Sequence, residues 1–552
     1  MRFLPASRRR AVVACGAALA LAGGLAAPAP ALAQTAPASS SEQLVRVNAP
    51  DTAARQRLAS LGLDLTEASG TGWADVLLHG SGDAARLRKA GFTWNVRNTA
   101  ASKAAEAAAV STPLPSGRTA YRTLDDYEAD LSKLARTYPS KVRRITLPYR
   151  TLEGRTVHGI EIGHHVGAGD GRPVFVMMGL HHSREWPSGE MTMEFGYDLL
   201  KHDGRDRGIT RLLDQARVIL VPVVNPDGFN QSRSGPLENK RKNCRIVDGQ
   251  DAPPPLCSQP ENAQLGVDIN RNYGFGWGGT GSSANKTASD YHGAGPFSEP
   301  EIRNIRDLVT GRQVTTLITN HTYGGTILRP YFTKAEGDTP DETAYKALSD
   351  KMAAQNGYTG MKSGDDYETT GETNDWSYYA TRGLGYTFEF GKDGFHPDFA
   401  SVAGEYYGTG PYEGKGSRGA FLLALENAVD RSAHSVIQGR APVGATLRIA
   451  KKFTLWTSPW TKADGTTGAP LPVPTALSST MVVGPGGRFT WDVNPSIRPQ
   501  SPFTATGESP VTGLIRESWT LTCTPRGHHG GTTVKVTVDR GQTAKVDLGR
   551  CR

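Results

Sequence analysis

His182 and Glu185 stand in an H-x-x-E spacing within the run Gly179-Leu180-His181-His182-Ser183-Arg184-Glu185-Trp186. Imidazole nitrogen and carboxylate oxygen both suit zinc, and a catalytic zinc takes three protein ligands and leaves one position open. The run follows an apolar stretch, 173–180, that has the length and composition of a buried strand. Open α/β sheets carry their sites beyond the ends of such strands. Alone, the spacing is weak: a surface loop would hold it equally well, and His181 competes with His182. Other stretches carry further chemistry. Gly266-Val267-Asp268-Ile269-Asn270-Arg271-Asn272 sets an arginine beside an asparagine. A guanidinium can grip a carboxylate with two charge-assisted bonds, although any one arginine or aspartate is more ordinarily a surface ion pair. Glu389 lies in the apolar stretch Tyr386-Thr387-Phe388-Glu389-Phe390. In isolation it would mark a strand edge or an ion pair. Beside an activated water it could accept a proton and pass it to a leaving amine.

Taken together and in this order, these blocks resemble a zinc carboxypeptidase of the carboxypeptidase A/B type, over roughly residues 121–429. The His₂Glu zinc set is the known set of carboxypeptidase A and is carried over from the resemblance. It makes His182, Glu185 and His321, in Thr319-Asn320-His321-Thr322-Tyr323, the ligands of one zinc ion. It makes Asp268 the carboxylate that orients His182. Asn270 and Arg271 would bind the terminal carboxylate of a substrate, which is what restricts the chemistry to chain ends. Arg241, in Asn239-Lys240-Arg241-Lys242-Asn243 after Asn225-Pro226-Asp227-Gly228-Phe229, would stabilise the developing oxyanion. Glu389 would be the general base. Tyr367 aligns with a mobile tyrosine that caps bound substrate. Asn374 falls where the family sets preference for the terminal side chain; being neither aliphatic nor acidic, it leaves apolar and basic endings both open. Glu372, Glu368, Asp365 and Asp366 lie nearby and would favour a basic ending unless they form an exposed acidic loop. Arg184 is a substrate contact or a local ion-pair partner. Lys242 and Arg245 have the look of solvated charges.

Strands and helices must hold these groups. Residues 142–147, 157–162, 173–180, 218–224, 315–318 and 386–390 read as strands, and 125–137 and 419–429 as helices. The expected fold is α/β, a mixed twisted sheet flanked by helices. A leader at 1–33 is followed by a small α/β segment and linker at 34–118. There, strands are expected at 44–47 and 74–78, helices at 52–61 and 83–90, and an Ala-rich stretch spans 99–110. The catalytic region would run over 119–437. Residues 438–552, with short strand candidates between Gly/Pro turns, read as an all-β sandwich. By the resemblance, 34–118 is an activation segment that covers the cleft until it is cleaved near 97–118; the alternative is a segment that stays attached.

Composition limits the rest. The chain has 552 residues, 38% hydrophobic and 21% charged, which suits a globular protein of several domains. Arg2, Arg8, Arg9 and Arg10 precede an apolar run at 11–27 and Ala31-Leu32-Ala33, the pattern of a cleaved export signal. Ser7-Arg8-Arg9 also permits twin-arginine export, and Cys15 a lipid anchor. Removing four arginines takes the formal charge from +8 to +4, no argument for nucleic acid. The expected protein is secreted, probes peptide or protein C-termini, has no transmembrane segment after its leader, and is a monomer. The excess of basic residues beyond Arg440 is a solvated surface or a cell-wall contact. Cys244, Cys257, Cys523 and Cys551 allow three disulfide connectivities, of which the local pairing is the simplest. Two further readings stand beside the peptidase: hydrolysis of cell-wall peptides with the same chemistry, and a non-catalytic peptide-binding protein.

Overall fold

A computed structural model of the chain describes residues 42–97, 113–250, 256–392, 394–509 and 513–551. The leader, Cys15 and the Ala-rich stretch 99–110 lie outside them. Residues from Glu42 onward form one compact unit. It begins with a four-stranded sheet, β1 (Gln43–Asn48), β2 (Asp64–Gly70), β3 (Trp73–Leu78) and β4 (Trp94–Val96), in the order β2-β3-β1-β4. Helices α1 (Thr52–Ala59) and α2 (Ser81–Lys89) connect its strands. Strand β2 was not expected. Its sequence, DLTEASG, has Thr66 as its one β-branched residue and no aromatic residue to mark a strand.

The central sheet has eight strands: β5 (Val142–Arg150), β6 (Thr156–Ile162), β7 (Val174–Met178), β8 (Arg217–Val221), β9 (Val314–Thr322), β10 (Thr326–Arg329), β11 (Thr359–Lys362) and β12 (Leu384–Phe390). Their order is β11-β10-β12-β9-β7-β8-β6-β5. The middle strands β12, β9, β7 and β8 run parallel. β7 and β12 are buried along their whole length, as continuous apolar strands must be when helices cover both faces. Those helices are α3 (Leu124–Thr137), α4 (Trp186–His202), α5 (Arg207–Gln215), α6 (Pro226–Arg233), α7 (Pro300–Thr310), α8 (Glu342–Asn356), α9 (Thr373–Thr381), α10 (Phe399–Tyr407) and α11 (Ser417–Val429). α3 shows the local logic. Thr123 caps it in a reciprocal box with Asp126, and Tyr127, Leu131 and Leu134 bury one face. Each such side chain contributes about 1.5–3 kcal/mol on burial. The expected strand at 315–318 is longer, so His321 lies inside β9 and not beyond its end.

The C-terminal region is β-rich. A three-stranded sheet and a four-stranded sheet share a core that includes Leu447, Trp491 and Trp519. Leu455, Val473 and Phe503 belong instead to the core of the central sheet, so the two regions are packed as one body. The disulfides are the local pairs Cys244–Cys257 and Cys523–Cys551. Among the described residues no helix is long and apolar enough to cross a membrane.

Candidate metal centre and active site

The chain leaves β7 through Leu180, whose φ of 54° is left-handed, and then presents His181 and His182. Glu185 stands at the N-terminus of α4. His321 comes from β9, so three donors converge from a loop, a helix start and a neighbouring strand. His182 Nδ1 lies 2.7 Å from Glu185 Oε1, His321 Nδ1 lies 3.0 Å from Glu185 Oε2, and the two Nδ1 atoms are 3.1 Å apart. All three side chains are buried.

The outer nitrogens decide what these inner atoms can hold. His182 Nε2 is 3.1 Å from Asp268 Oδ1 and His321 Nε2 is 3.1 Å from Thr319 Oγ1. A carboxylate only accepts, and one faces each ring nitrogen of His182, so Nδ1 calls for a cation, either a proton or a metal ion. With the outer nitrogens donating to Asp268 and Thr319, the inner nitrogens of both rings and the Glu185 carboxylate can share one metal ion, and the donor set fits zinc. His181, the competitor in the sequence, turns elsewhere: its ring bonds Tyr273 and Thr319 and is not in the donor set.

Glu389 joins the site through sheet register. It pairs with His321 across β12 and β9, and its Oε2 is buried without a hydrogen-bond partner. Burial, then the charges of Glu67 and Glu185, push its carboxyl well above the usual range. Asp268 also receives Arg241 Nε and Nη2 at 3.1 and 2.9 Å. Burial opposes ionisation of Asp268, but Arg241 and then His182 outweigh it and hold the carboxyl well below its ordinary value. The Asp268 turn depends on Gly266, with φ of 121° and a Cβ position only 2.2 Å from the Asn243 carbonyl oxygen. No side chain fits there.

Asn270 and Arg271 lie on one 3₁₀ turn, Ile269–Arg271. Arg271 donates to Glu372 Oε1 at 2.8 Å. Asn270 Oδ1 accepts from the Thr373 N–H at 3.2 Å and its hydroxyl at 2.8 Å. Tyr367, Asn270, Glu372 and Glu389 line one cavity. Asn374 is buried, with its amide donating to Thr387 Oγ1 at 2.7 Å. Of the nearby acids, Asp365 is exposed, whereas Asp366 and Glu372 are buried, so the stretch is not simply a solvated loop.

Several residues were not expected here. Glu67, on β2, lines the same cavity and lies 3.4 Å from Arg241 Nη1. Asp64 makes a two-pronged pair with Arg184, Nη2 to Oδ1 at 2.7 Å, with both side chains buried. Arg184 is thus an ion-pair partner in this structure. Asp366 is bound from the same N-terminal region by Ser69 of β2, at 2.7 Å, and by Arg55 of α1, at 2.8 Å. Lys242 and Arg245 are corrections: both are buried. Lys242 donates to the Lys286 and Ala288 carbonyls at 2.8 and 2.6 Å, and burial lowers its ammonium to about 7. Arg245 donates to Glu299 at 3.1 Å. Their partners lie 40 to 60 residues away, where local sequence gives no sign of them.

The model of the zinc carboxypeptidase family matches residues 127–403. Carboxypeptidase A1 of Rattus norvegicus is 32% identical over 281 residues, 49% of this chain and 62% of the relative. Carboxypeptidase A1 of Sus scrofa is 29% identical over 280 residues, with the same shares. The match therefore spans a little under two thirds of the length of these relatives. Among solved structures, carboxypeptidase A from Helicoverpa armigera superposes with a TM-score of 0.56 at 22% identity, over 72% of this chain and 98% of that one. Thrombin activatable fibrinolysis inhibitor gives 0.54 at 19%, over 70% and 99%. These two superpositions establish likeness of fold.

Proposed function

Because the chain belongs to the zinc carboxypeptidase family, we propose that it hydrolyses the last peptide bond of peptides or proteins and releases single C-terminal residues. The observation that carries this reading is the pairing of Glu389 with His321, which brings a buried carboxylate whose Oε2 has no hydrogen-bond partner beside the His182–Glu185–His321 donors. Zinc held by those three would supply a Lewis acid for the scissile carbonyl and lower the pKa of water. Arg271 and the Asn270 amide grip the terminal carboxylate. Arg241, fixed by Asp268, turns Nη1 toward the space where the carbonyl oxygen becomes negative. Glu389 takes a proton from the attacking water and delivers it to the leaving amine. Tyr367 closes the cavity over the departing residue.

The same cavity supports a preference for Lys or Arg endings. Arg271 is already paired with Glu372, and both are buried. An incoming carboxylate takes Arg271 and leaves Glu372 without its cation. Breaking a buried pair in this way costs about 3–5 kcal/mol. A basic side chain restores the balance; an apolar one does not. The division into a leader at 1–33, an activation segment at 34–118, a peptidase region at 119–437 and a C-terminal region at 438–552, and secretion of the product, are part of this proposal. The two disulfides support an exported protein.

The test is release of C-terminal residues from N-blocked peptides ending in Lys, Arg, Phe, Leu or Glu, before and after mild trypsin, with and without chelator. We expect chelator-sensitive release after trypsin, fastest for Lys and Arg. Glu372→Gln should lower kcat/KM for those two by about 10–100-fold relative to Phe. Equal preference in both proteins rejects the role of Glu372. No release from any peptide by zinc-loaded protein rejects the peptidase and returns the choice to cell-wall peptides or a binding role.

A further inference from the structure

His181 is wholly buried beside the donor set yet takes no part in it. Each of its ring nitrogens meets a hydroxyl group. A neutral imidazole has one donor and one acceptor, and both of its nitrogens are engaged. Nδ1 lies 3.2 Å from Thr319 Oγ1, which lies 3.1 Å from His321 Nε2. Nε2 lies 2.9 Å from the Tyr273 hydroxyl and 3.5 Å from Thr373 Oγ1.

The far end of this chain fixes its direction. The Thr373 N–H donates to the Asn270 side chain, so the atom it meets is the oxygen, and the Thr373 hydroxyl, bonded to the same atom, must donate as well. The Thr373 oxygen, its own proton given to Asn270, accepts from His181 Nε2, and His181 Nδ1 accepts from Thr319. The Thr319 oxygen accepts from His321 Nε2. Each member donates once. Both ends are set by this order: the lone pair of His321 Nδ1 points into the donor set, and the Asn270 NH₂ points away from Thr373, into the cavity.

We propose that His181 is a positioning residue that couples the metal centre to the carboxylate clamp, holding His321 through Thr319 and Asn270 through Thr373. The clamp half rests on the proposed function; the metal half does not. Outer partners of metal-bound histidines are commonly worth 10–100-fold in metal affinity.

Two near-isosteric substitutions separate the halves in the full-length, trypsin-treated protein. Thr319→Val removes the hydroxyl between His181 and His321. Thr373→Val removes the one between His181 and Asn270. Zinc affinity is read by chelator competition. The clamp is read by KM for a Lys-ended peptide at saturating zinc, and by calorimetric affinity for free L-lysine. We expect Thr319→Val to weaken zinc about 10–100-fold and to change the clamp readouts less than threefold. Thr373→Val should do the reverse, raising KM and the L-lysine Kd about tenfold, the loss of roughly one hydrogen bond to a charged pair. His181→Leu should do both, and Thr319→Ser should restore zinc affinity. A merely structural role predicts small, parallel losses. Both valine variants matching wild type, or both losing zinc and clamp together, would overturn the coupling. Wild-type protein that binds zinc but neither hydrolyses peptides nor binds L-lysine defeats the proposed function and the clamp half, while the Thr319 comparison still decides the metal half.

Discussion

Glu389 and Glu185 are two buried carboxylates in one site with different surroundings. Glu185 faces two imidazoles at 2.7 and 3.0 Å. Glu389 has no hydrogen-bond partner for its Oε2 and faces the negative charges of Glu67 and Glu185. A carboxylate held in that way is a poor structural ion-pair partner and a suitable base, because its affinity for a proton is raised. Glu389→Gln keeps the shape and removes the proposed base. It should retain a full equivalent of zinc by elemental analysis and lose about 10²–10⁴-fold in kcat; turnover close to wild type would remove Glu389 from the reaction. At this scale the sequence was legible where a motif is short and contiguous. His182 with Glu185 stood out by a spacing that is weak alone, and Asp268, Asn270 and Arg271 only through the resemblance of their seven-residue block to the family's. Thr319, Thr373 and His181 did not stand out, because their contacts join positions 138 and 192 residues apart. Lys242 and Arg245 were read as solvated because a charged residue is rarely buried unless paired, and their partners were invisible.

Strand β2 is one of several elements that the sequence concealed, with β4, β10 and β11, and it meets the cleft. Its burial alternates, with Asp64, Thr66 and Ala68 turned inward. Two of those three are polar, so the pattern of a half-buried strand was masked. What makes Asp64 tolerable inside is Arg184, 120 residues on, and the pair holds the carboxyl below its ordinary range despite burial. Glu67 meets Arg241, and Ser69 and Arg55 meet Asp366. The N-terminal sheet therefore touches the proposed carbonyl-polarising arginine, a second cleft arginine and a cavity acid at once. Charge complementarity of this kind is what a covering segment needs, and removing one member of a buried pair costs about 3–5 kcal/mol. Uncleaved wild-type protein should have little activity, rising at least tenfold on cleavage within 97–118. The uncleaved double variant Asp64→Asn, Glu67→Gln should recover a tenfold or greater share of it without proteolysis. Rates measured on intact chains, verified by mass, decide this; an intact wild-type chain as active as the cleaved one would leave the segment as an attached domain without a covering role.

For the whole molecule, acid and alkali act on different seams. Asp341 joins the peptidase region to the C-terminal strands: Arg382 donates to it at 2.7 Å and Arg540 at 3.0 Å. Burial opposes its ionisation, but the two guanidiniums prevail and hold the carboxyl well below the ordinary range. Its contribution is present above about pH 4 and is lost as pH falls toward the folded value. Glu301 behaves in the opposite sense. It is buried on α7, and burial, then the charges of Glu299 and Asp227, push it up to about 8. Folded protein then holds a proton that unfolded chain has released, so stability declines as pH rises from about 4.5 to about 8 and levels beyond it. Glu336, under Phe332 and Thr333, is raised to about 8 for the same leading reason and adds to the slope. Thermal melting at intervals from pH 5 to pH 9 should therefore show a steady fall. Glu301→Gln keeps the amide-sized group that Asn243 and the α7 backbone surround, but has no proton to lose. Its melting temperature should equal that of wild type near pH 5 and exceed it by several degrees at pH 9, flattening the curve. Parallel curves for the two proteins would mean that Glu301 ionises as freely in the fold as in the unfolded chain, and that the alkaline seam lies elsewhere. A flattened curve would place it at the junction of α7 with the Asn243–Arg245 loop, which also carries Arg241 toward the metal donors.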